Sequence, residues 1–375
     1  MGTETSTTSI GKKSALGCFG TYLPLWVVAC MVVGATIGSL WPEVAERLDE
    51  ATVEQVSLPV AVLIWIMVVP MALTVDFDAI LGVFRFPRGL LVTTAVNWLV
   101  QPFLMYGLAT LFFRPSTRAV ILGGSPCTAM VFTWSVLARG DGAYTLVQVA
   151  LNDALIFVLY APTMFLLLSA SDIHVPYITV VIAVLVFVAV PFAFGFVVQK
   201  FTPWADSLAR ILKPFTIVAL LATLLIIFVF QGERLTDRWT DVLLIAVPLT
   251  LQTYLVFAIA AVLAWYARLP FNVAAPATFI SASNFFELGV AVAIASYGLD
   301  SGAVLVNVVG VLVEVPIMLS LVWSMKKAHS IFDARAGPAS DHDSDISSEA
   351  SPKDYGYSED TIYDASASSG GASSS

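Results

Sequence analysis

Long apolar runs, separated by short polar segments, make up most of the chain. A run of about 20 apolar residues is long enough to cross the hydrocarbon core of a bilayer as an α-helix. The pattern therefore predicts an all-α membrane protein with ten transmembrane helices. The predicted spans lie at residues 23–40, 58–73, 89–113, 117–138, 143–168, 175–198, 210–230, 241–267, 272–297 and 301–325.

The distribution of positive charge predicts how these spans are oriented. Lys and Arg concentrate in the cytoplasmic loops of membrane proteins. With ten spans both termini lie on one side, and the termini together with the even-numbered loops hold 13 of the 18 Lys and Arg residues. We therefore expect a multi-pass protein of the cell membrane with cytoplasmic amino and carboxyl ends.

The two halves of the membrane region, residues 21–170 and 171–327, resemble each other. The third and eighth spans carry Gln101 in "NWLVQPFLMYG" and Gln252 in "PLTLQTYLVFA" at similar depth, and the fifth and tenth open with "AYTLVQV" and "AVLVNV". Five spans in each half place the second half upside down relative to the first. Inverted repeats are typical of secondary transporters, whose substrate sites lie near the bilayer midplane.

Composition agrees with this class and locates the acidic residues. Hydrophobic residues make up 58% of the chain and charged residues 12%, with a mean hydropathy of +0.87, which excludes an ordinary soluble domain. Most of the net charge of −9 lies in residues 328–375, a Ser- and Asp-rich segment with few aliphatic side chains. Such a segment cannot bury a core. We expect it to be a disordered cytoplasmic tail, and residues 1–20 to form a cytoplasmic amino-terminal segment.

Helix-breaking residues occur at corresponding places in the two halves. The fourth span contains "GGSPCT" at residues 123–128, and the ninth contains "ISASNFFE" at residues 280–287. Unwound backbone at membrane depth is tolerated only where it is buried in protein or lines a wet cavity. Two breaks in matching positions therefore indicate a binding site, although Gly and Pro can also simply kink a packed helix.

Three acidic residues fall inside predicted spans, where an unpaired ionised carboxylate is costly. Glu287 follows Asn284 by about one helical turn, so both side chains can point the same way. Asp153 adjoins Asn152, and this pair is equally consistent with a structural hydrogen bond between helices. Glu314 precedes Pro316, and structural and functional roles for it remain open.

Cys127 differs from the other cysteines because it follows the fourth-span break directly. Free Cys in a membrane helix usually packs as a small hydrophobe, which is the interpretation for Cys30, and Cys18 is interpreted as incidental. A lone thiol in a polar pocket suits a thiophilic solute. One thiol cannot build a structural zinc site, which needs four ligands.

The residues around both breaks resemble a known family. The segments "PCTAMVFTWSVLARGDGAYTLVQVALND", "SASNFFELGVAVAIASYGLDSGA" and "VVGVLVEVPIMLSLV" are similar to the arsenite efflux permeases of the arsenical-resistance type, relatives of the bile acid/sodium symporters. The likeness covers about residues 20–327. It implies a panel domain and a core domain, with the broken fourth and ninth helices crossing in the core.

The resemblance also implies the substrate and the site. It implies export of trivalent arsenite, allows antimonite, and places the family's essential cysteine on Cys127, which would bind the arsenic, and its essential glutamate on Glu287. Arsenite at neutral pH is mostly an uncharged trihydroxide, so uphill export needs a second, charged species, and Glu287 is the candidate proton carrier. Asn284 and Thr128 complete the predicted binding residues. The possible supporting polar residues are Asn152, Asp153, Glu314, Gln101 and Gln252.

Two other classes of function remain to be compared. A sodium-coupled organic anion transporter of the same architecture would need several convergent oxygens around sodium and would not need Cys127. An enzyme is disfavoured because the chain contains neither HExxH nor GxSxG. We predict no cofactor and no nucleic-acid partner; the expected partners are arsenite, protons and the lipid bilayer.

Overall fold

The computed structural model describes most of the predicted membrane region. The described residues are 23–49, 52–53, 56–74, 87–112, 125–127, 130–169, 177–237, 239–298 and 301–336. Residues 27–339 form one compact unit. A second unit comprises residues 1–26 and 340–375, of which only residues 23–26, the first turn of a helix, are described. The predicted amino-terminal segment and most of the predicted tail lie outside the described residues.

The described chain is α-helical apart from one short antiparallel ladder between β1 (Thr52–Val53) and β2 (Val56–Ser57). Helices coincide with nine of the ten predicted spans, and the fourth span is described in part. The helices are α1 (Leu23–Leu40), α2 (Pro42–Asp49), α3 (Leu58–Thr74), α4 (Pro87–Ala95), α5 (Gln101–Phe112), α6 (Val131–Leu137), α7 (Gly142–Ser169), α8 (Tyr177–Val184), α9 (Val190–Phe201), α10 (Ala205–Asp237), α11 (Trp239–Tyr266), α12 (Phe271–Ala282), α13 (Phe286–Tyr297), α14 (Gly302–Lys327) and α15 (His329–Ala336).

Five helical segments in the described ranges are long and apolar enough to cross a membrane. They are Arg88–Phe112, Tyr177–Phe201, Pro214–Gly232, Trp239–Tyr266 and Gly302–Lys327. A sixth segment, α7, qualifies if its two halves, bent by 58°, form one span. The bend lies four to six residues before Pro162, where a proline ring displaces the preceding turn. The protein is thus a multi-pass α-helical membrane protein.

Prolines also explain two wider turns within long helices. A π-helical turn at Val96–Val100 joins α4 to α5, and another at Leu185–Ala189 joins α8 to α9. Pro102 and Pro191 follow these turns directly. A proline has no amide hydrogen and clashes with the carbonyl one turn earlier, and a widened turn relieves that clash without ending the helix.

One group of helices, α1, α3, α9 and α10, packs with very close backbones. A Cβ placed on Gly38 of α1 would overlap the carbonyl oxygen of Val229 in α10. A Cβ on Gly195 of α9 would lie 2.5 Å from the Ala72 side chain in α3. Small residues at such contacts let membrane helices approach closely enough for dense van der Waals packing.

A second group contains α4 to α6 and α11 to α14. Helices α12 and α13, the two halves of the ninth span, lie inside it, and all residues from 273 to 295 are buried. Val96 packs with Val256 and Ala260 in a hydrophobic core cluster of this group. Because protein surrounds the ninth span, its break is shielded from lipid.

The first residues of the predicted disordered tail are ordered, which corrects that expectation for α15. Phe332 is 4% exposed, and the His329 ring lies 4.3 Å from the Phe271 ring at the start of α12. The Phe271 amide donates a 3.3 Å hydrogen bond to Asp333 Oδ1. The buried Phe332 side chain and the Asp333 carboxylate at the amino terminus of α12 both stabilise the packing of α15 against α12. Residues 337–375 lie outside the described part of the chain.

Gly38→Ala should destabilise the protein because the added methyl group would meet backbone that cannot rotate away. Overpacking of this kind typically costs about 1–3 kcal/mol. Gly107→Ala is the matched control, since a Cβ there would meet nothing within 4 Å. Thermal unfolding of the purified protein in detergent should show a lower Tm for Gly38→Ala only. Equal Tm values for both variants would contradict the close packing of α1 and α10.

Phe332→Ala should lower stability by about 3 kcal/mol, the lower end of the range for a buried Phe. The neighbouring Ile331, 58% exposed, supplies the control Ile331→Ala, which should change little. Truncation after Ala336 should leave Tm unchanged, because it keeps all of α15. If Phe332→Ala and Ile331→Ala unfold at the same temperature, α15 does not contribute to stability through its buried face.

Candidate functional site

The breaks of the fourth and ninth spans lie against each other. Residues 125–127 and 283–285 pair through an antiparallel bridge, with Pro126 opposite Asn284. The hydrogen bonds run from Cys127 N to Ser283 O (3.1 Å) and from Phe285 N to Ser125 O (2.8 Å). Backbone groups that leave a helix inside a membrane must find partners. Each break therefore supplies backbone hydrogen-bond partners to the other.

The pairing also explains why a proline fits in the fourth-span break. The two hydrogen bonds flank Pro126 and Asn284, which makes them a non-hydrogen-bonded pair of the antiparallel type. A residue in that position does not need its amide hydrogen for the ladder. Pro126 thus prevents continuation of the helix without removing a hydrogen bond from the crossing.

Cys127 is buried in this crossing, with 2% of its surface exposed. Its thiol lies beside the Ser283 hydroxyl and the Met130 amide, and Glu287 and Glu314 are close enough to act on it electrostatically. Thr128, the neighbouring predicted ligand, lies outside the described residues. The structure therefore brings the predicted thiol and the predicted glutamate to one place.

Glu287 is the second residue of α13 and is completely buried. Its own backbone amide lies beside the carboxylate, and no other described residue bonds to either oxygen. The amino terminus of a helix favours negative charge, but a carboxylate that no other side chain bonds to is still costly to bury in the ionised form. Glu287 is thus a group whose charge a proton or a bound ligand would compensate.

Glu314 lies on α14 and is joined to the ninth-span break. The Ser283 hydroxyl donates a hydrogen bond to Glu314 Oε1. Glu314 is 7% exposed. The sequence left structural and functional roles for Glu314 open. Its direct contact with the break brings a second carboxylate to the crossing.

Gln101 and Gln252, the matching amides of the two halves, both bond to Asn284. Gln101 Nε2 donates to Asn284 Oδ1 at 2.5 Å, and Asn284 Nδ2 donates to Gln252 Oε1 at 3.4 Å. Gln101 Nε2 also donates to the Ser283 carbonyl at 3.4 Å, and this acceptor fixes the direction of the whole amide chain. Gln101 Oε1 and Gln252 Nε2 have no partner among the described residues.

Asn152 and Asp153 lie buried in α7. Neither amide atom of Asn152 has a partner in the described ranges, and no described hydrogen bond links Asp153 to Asn152 or to the breaks. The hydrogen-bonded pair considered from the sequence is therefore absent from the described contacts. Among the contacts of the described residues, none joins Asn152 or Asp153 to the crossing.

Ser125 and Ser283 were not identified from the sequence. Ser125 Oγ donates to the Phe285 carbonyl at 3.2 Å, and Ser283 contacts both Cys127 and Glu314. The sequence identified "GGSPCT" and "ISASNFFE" only as helix breaks, and the contacts of their serines depend on the other half of the chain.

The donor set fits a soft, neutral solute better than a tightly held cation. Among the described residues, no group of three or more His, Cys, Asp and Glu side chains is placed to hold a metal ion. One thiol, two carboxylates and three amides can instead make one soft bond and several hydrogen bonds.

Comparison with known proteins adds independent information. The Sodium Bile acid symporter family pattern matches residues 61–238. The arsenical-resistance protein Acr3 of Alkaliphilus metalliredigens is 47% identical over 334 residues, covering 84% of this chain and 94% of that protein. An uncharacterised transporter of Synechocystis is 39% identical, covering 85% and 91%. The arsenical-resistance protein Acr3 of Corynebacterium glutamicum is 28% identical, covering 85% and 92%.

Proposed function

The chain belongs to the arsenical-resistance branch of the sodium/bile acid symporter family, and we propose that it is a secondary transporter that exports trivalent arsenite from the cytoplasm. The observation that carries this proposal is the crossing of the two breaks. The crossing brings a buried thiol close to a buried carboxylate to which no other described residue bonds. The proposed exchange partner is the proton.

The proposed topology has ten spans in two inverted repeats, with both termini in the cytoplasm. In this arrangement α1, α3, α9 and α10 form the panel, and the helices around the crossing form the core. Basic residues from different parts of the sequence lie near one another, and this arrangement supports the proposed orientation. Arg139 lies close enough to Lys326 for electrostatic repulsion, and Arg335 packs 4.5 Å from the Trp265 ring. Lys and Arg of the cytoplasmic loops would converge there.

The proposed chemistry of loading is exchange of one arsenic hydroxyl for sulfur. The Cys127 thiol and arsenous acid give an As–S bond and one water molecule, so atoms and charge balance. Amide and hydroxyl groups around the crossing can hydrogen-bond the two remaining hydroxyls. Antimonite, with the same trihydroxide form, would react in the same way. A single As–S bond can be reversed by water, as release on the far side requires.

The proposed coupling uses Glu287 as the proton carrier. A neutral solute gains no energy directly from the membrane potential, so its uphill export requires a charged species moving inward. A buried carboxylate that no other side chain bonds to loses its charge penalty when it binds a proton. Because Glu287 and Cys127 occupy the same crossing, proton and arsenite would exclude each other there, which is the basic requirement for antiport.

Cys127→Ser should abolish arsenite transport, because a hydroxyl is a far poorer ligand for soft arsenic than a thiol. The measurement is arsenite uptake by inverted vesicles containing equal amounts of protein. Replacement of Cys18 and Cys30 together by Ser is the control and should retain transport. If the variant that keeps only Cys18 and Cys30 transports normally, the thiol-ligand proposal is wrong.

Glu287→Gln, which mimics the protonated side chain, should reduce proton-driven arsenite uptake at least tenfold. Vesicles would be given a proton gradient without sodium, and then a sodium gradient at constant pH. Asp241→Asn, an exposed carboxylate at the start of α11, is the matched control and should behave as wild type. Uptake driven only by sodium would place the protein with sodium-coupled transporters and remove the role of Glu287.

A further inference from the structure

Ser283 contacts three other elements of the crossing. Its hydroxyl donates to Glu314 on α14, and its carbonyl accepts from the Cys127 amide at 3.1 Å. The same carbonyl accepts from Gln101 Nε2 at 3.4 Å. The Cys127 thiol lies beside the Ser283 side chain. Ser283 is fully buried, so water does not compete for these contacts.

The direction of the hydroxyl hydrogen bond follows from the chemistry of the partners. An ionised carboxylate can only accept, so the Ser283 hydrogen points to Glu314. The oxygen lone pairs of Ser283 are then available to the thiol hydrogen of Cys127. The Cys127 thiol, the Ser283 hydroxyl and the Glu314 carboxylate thus follow one another as a nucleophile, an intermediate group and a base.

We propose that Ser283 relays the proton of the Cys127 thiol to Glu314 when the thiol attacks arsenite. This inference rests on the proposed function and adds a residue role to it. As the S–As bond forms, the S–H proton passes to Ser283 Oγ and the Ser283 proton passes to Glu314. Glu314 then returns a proton to the departing arsenic hydroxyl, which leaves as water. The thiol, the hydroxyl and the carboxylate thus account for every proton.

The relay gives loading a defined dependence on protonation. A buried thiol is a poor nucleophile unless a base removes its proton. When Glu314 carries a proton it cannot accept another, so thiol activation stops. Proton binding at Glu314 therefore slows both the loading of arsenite at Cys127 and its release, while Glu287 remains the proposed proton carrier.

The test compares Ser283→Ala with Ser281→Ala in proteoliposomes. The Ser281 hydroxyl donates only to the Ala277 carbonyl of its own helix, at 2.8 Å, so Ser281→Ala is a matched control on the same half-helix. Loss of a positioned proton-transfer group typically costs about 100-fold in rate. We expect a comparable fall in the maximal arsenite uptake rate for Ser283→Ala, a small change in KM, and wild-type behaviour for Ser281→Ala.

Three further measurements separate a relay from a structural role. Ser283→Thr should restore most of the rate, because it returns a hydroxyl to the same position. The wild-type rate should fall as the pH is lowered, and that dependence should be weaker in Ser283→Ala, in which Glu287 is still present as a titrating carboxylate of the crossing. Glu314→Gln should match Ser283→Ala, and the double variant should be no slower than either, since groups acting in one chain are not additive.

The outcomes decide between the relay and the transport proposal. If Cys127→Ser is inactive but Ser283→Ala transports within twofold of wild type, the relay is wrong and the thiol role stands. Additive losses in the double variant would also overturn the relay. If Ser283→Ala does not fold, Glu314→Gln decides: a wild-type rate and an unchanged pH profile for that variant would exclude the relay.

Discussion

The structure depends on the requirement that every backbone polar group inside a membrane has a hydrogen-bond partner. Two spans of this protein violate helical geometry, and each on its own would leave amides and carbonyls exposed to hydrocarbon. Their paired residues solve the problem together, because Cys127 N and Phe285 N donate across the crossing to the other segment. The pairing holds only if both breaks lie at the same depth. That condition brings residues far apart in sequence to one place.

The burial of the ninth span follows from the same requirement. Residues 273–295 are all enclosed by other helices, so polar side chains at the crossing find partners in protein instead of lipid. Gln101 and Gln252 reach Asn284 from two different helices and hold it from both sides. Glu287 has no such support among the described residues, and its free energy therefore responds most to a proton or a ligand. Asn284, held by two side-chain hydrogen bonds, thus lies close to Glu287, which has no such support.

Much of this could be predicted from local sequence. Apolar runs located the spans, small and proline residues located the breaks, and the likeness of the halves singled out Gln101 and Gln252, because each of these signals is contained in a short segment. Ser283 could not be identified, since its partners, Cys127 and Glu314, come from other parts of the chain. Helix α15 was missed because one aromatic residue, Phe332, supplies its anchor within a polar, acidic tail.

A carrier must bind its solute and also release it, and the composition of the crossing suits both steps. Several thiols would hold arsenic too tightly for turnover, whereas hydroxyl and amide groups alone would distinguish it poorly from other neutral hydroxylated solutes. In the proposed function one thiol would supply the chemical selectivity, and the hydrogen-bonding groups around it would form contacts that water can replace. In the proposed transport cycle, movement of the proposed panel helices would change access to the thiol without separating it from Glu287 and Glu314, because the two broken spans contribute to one paired unit. The site would then stay intact while the side from which it is reached changes.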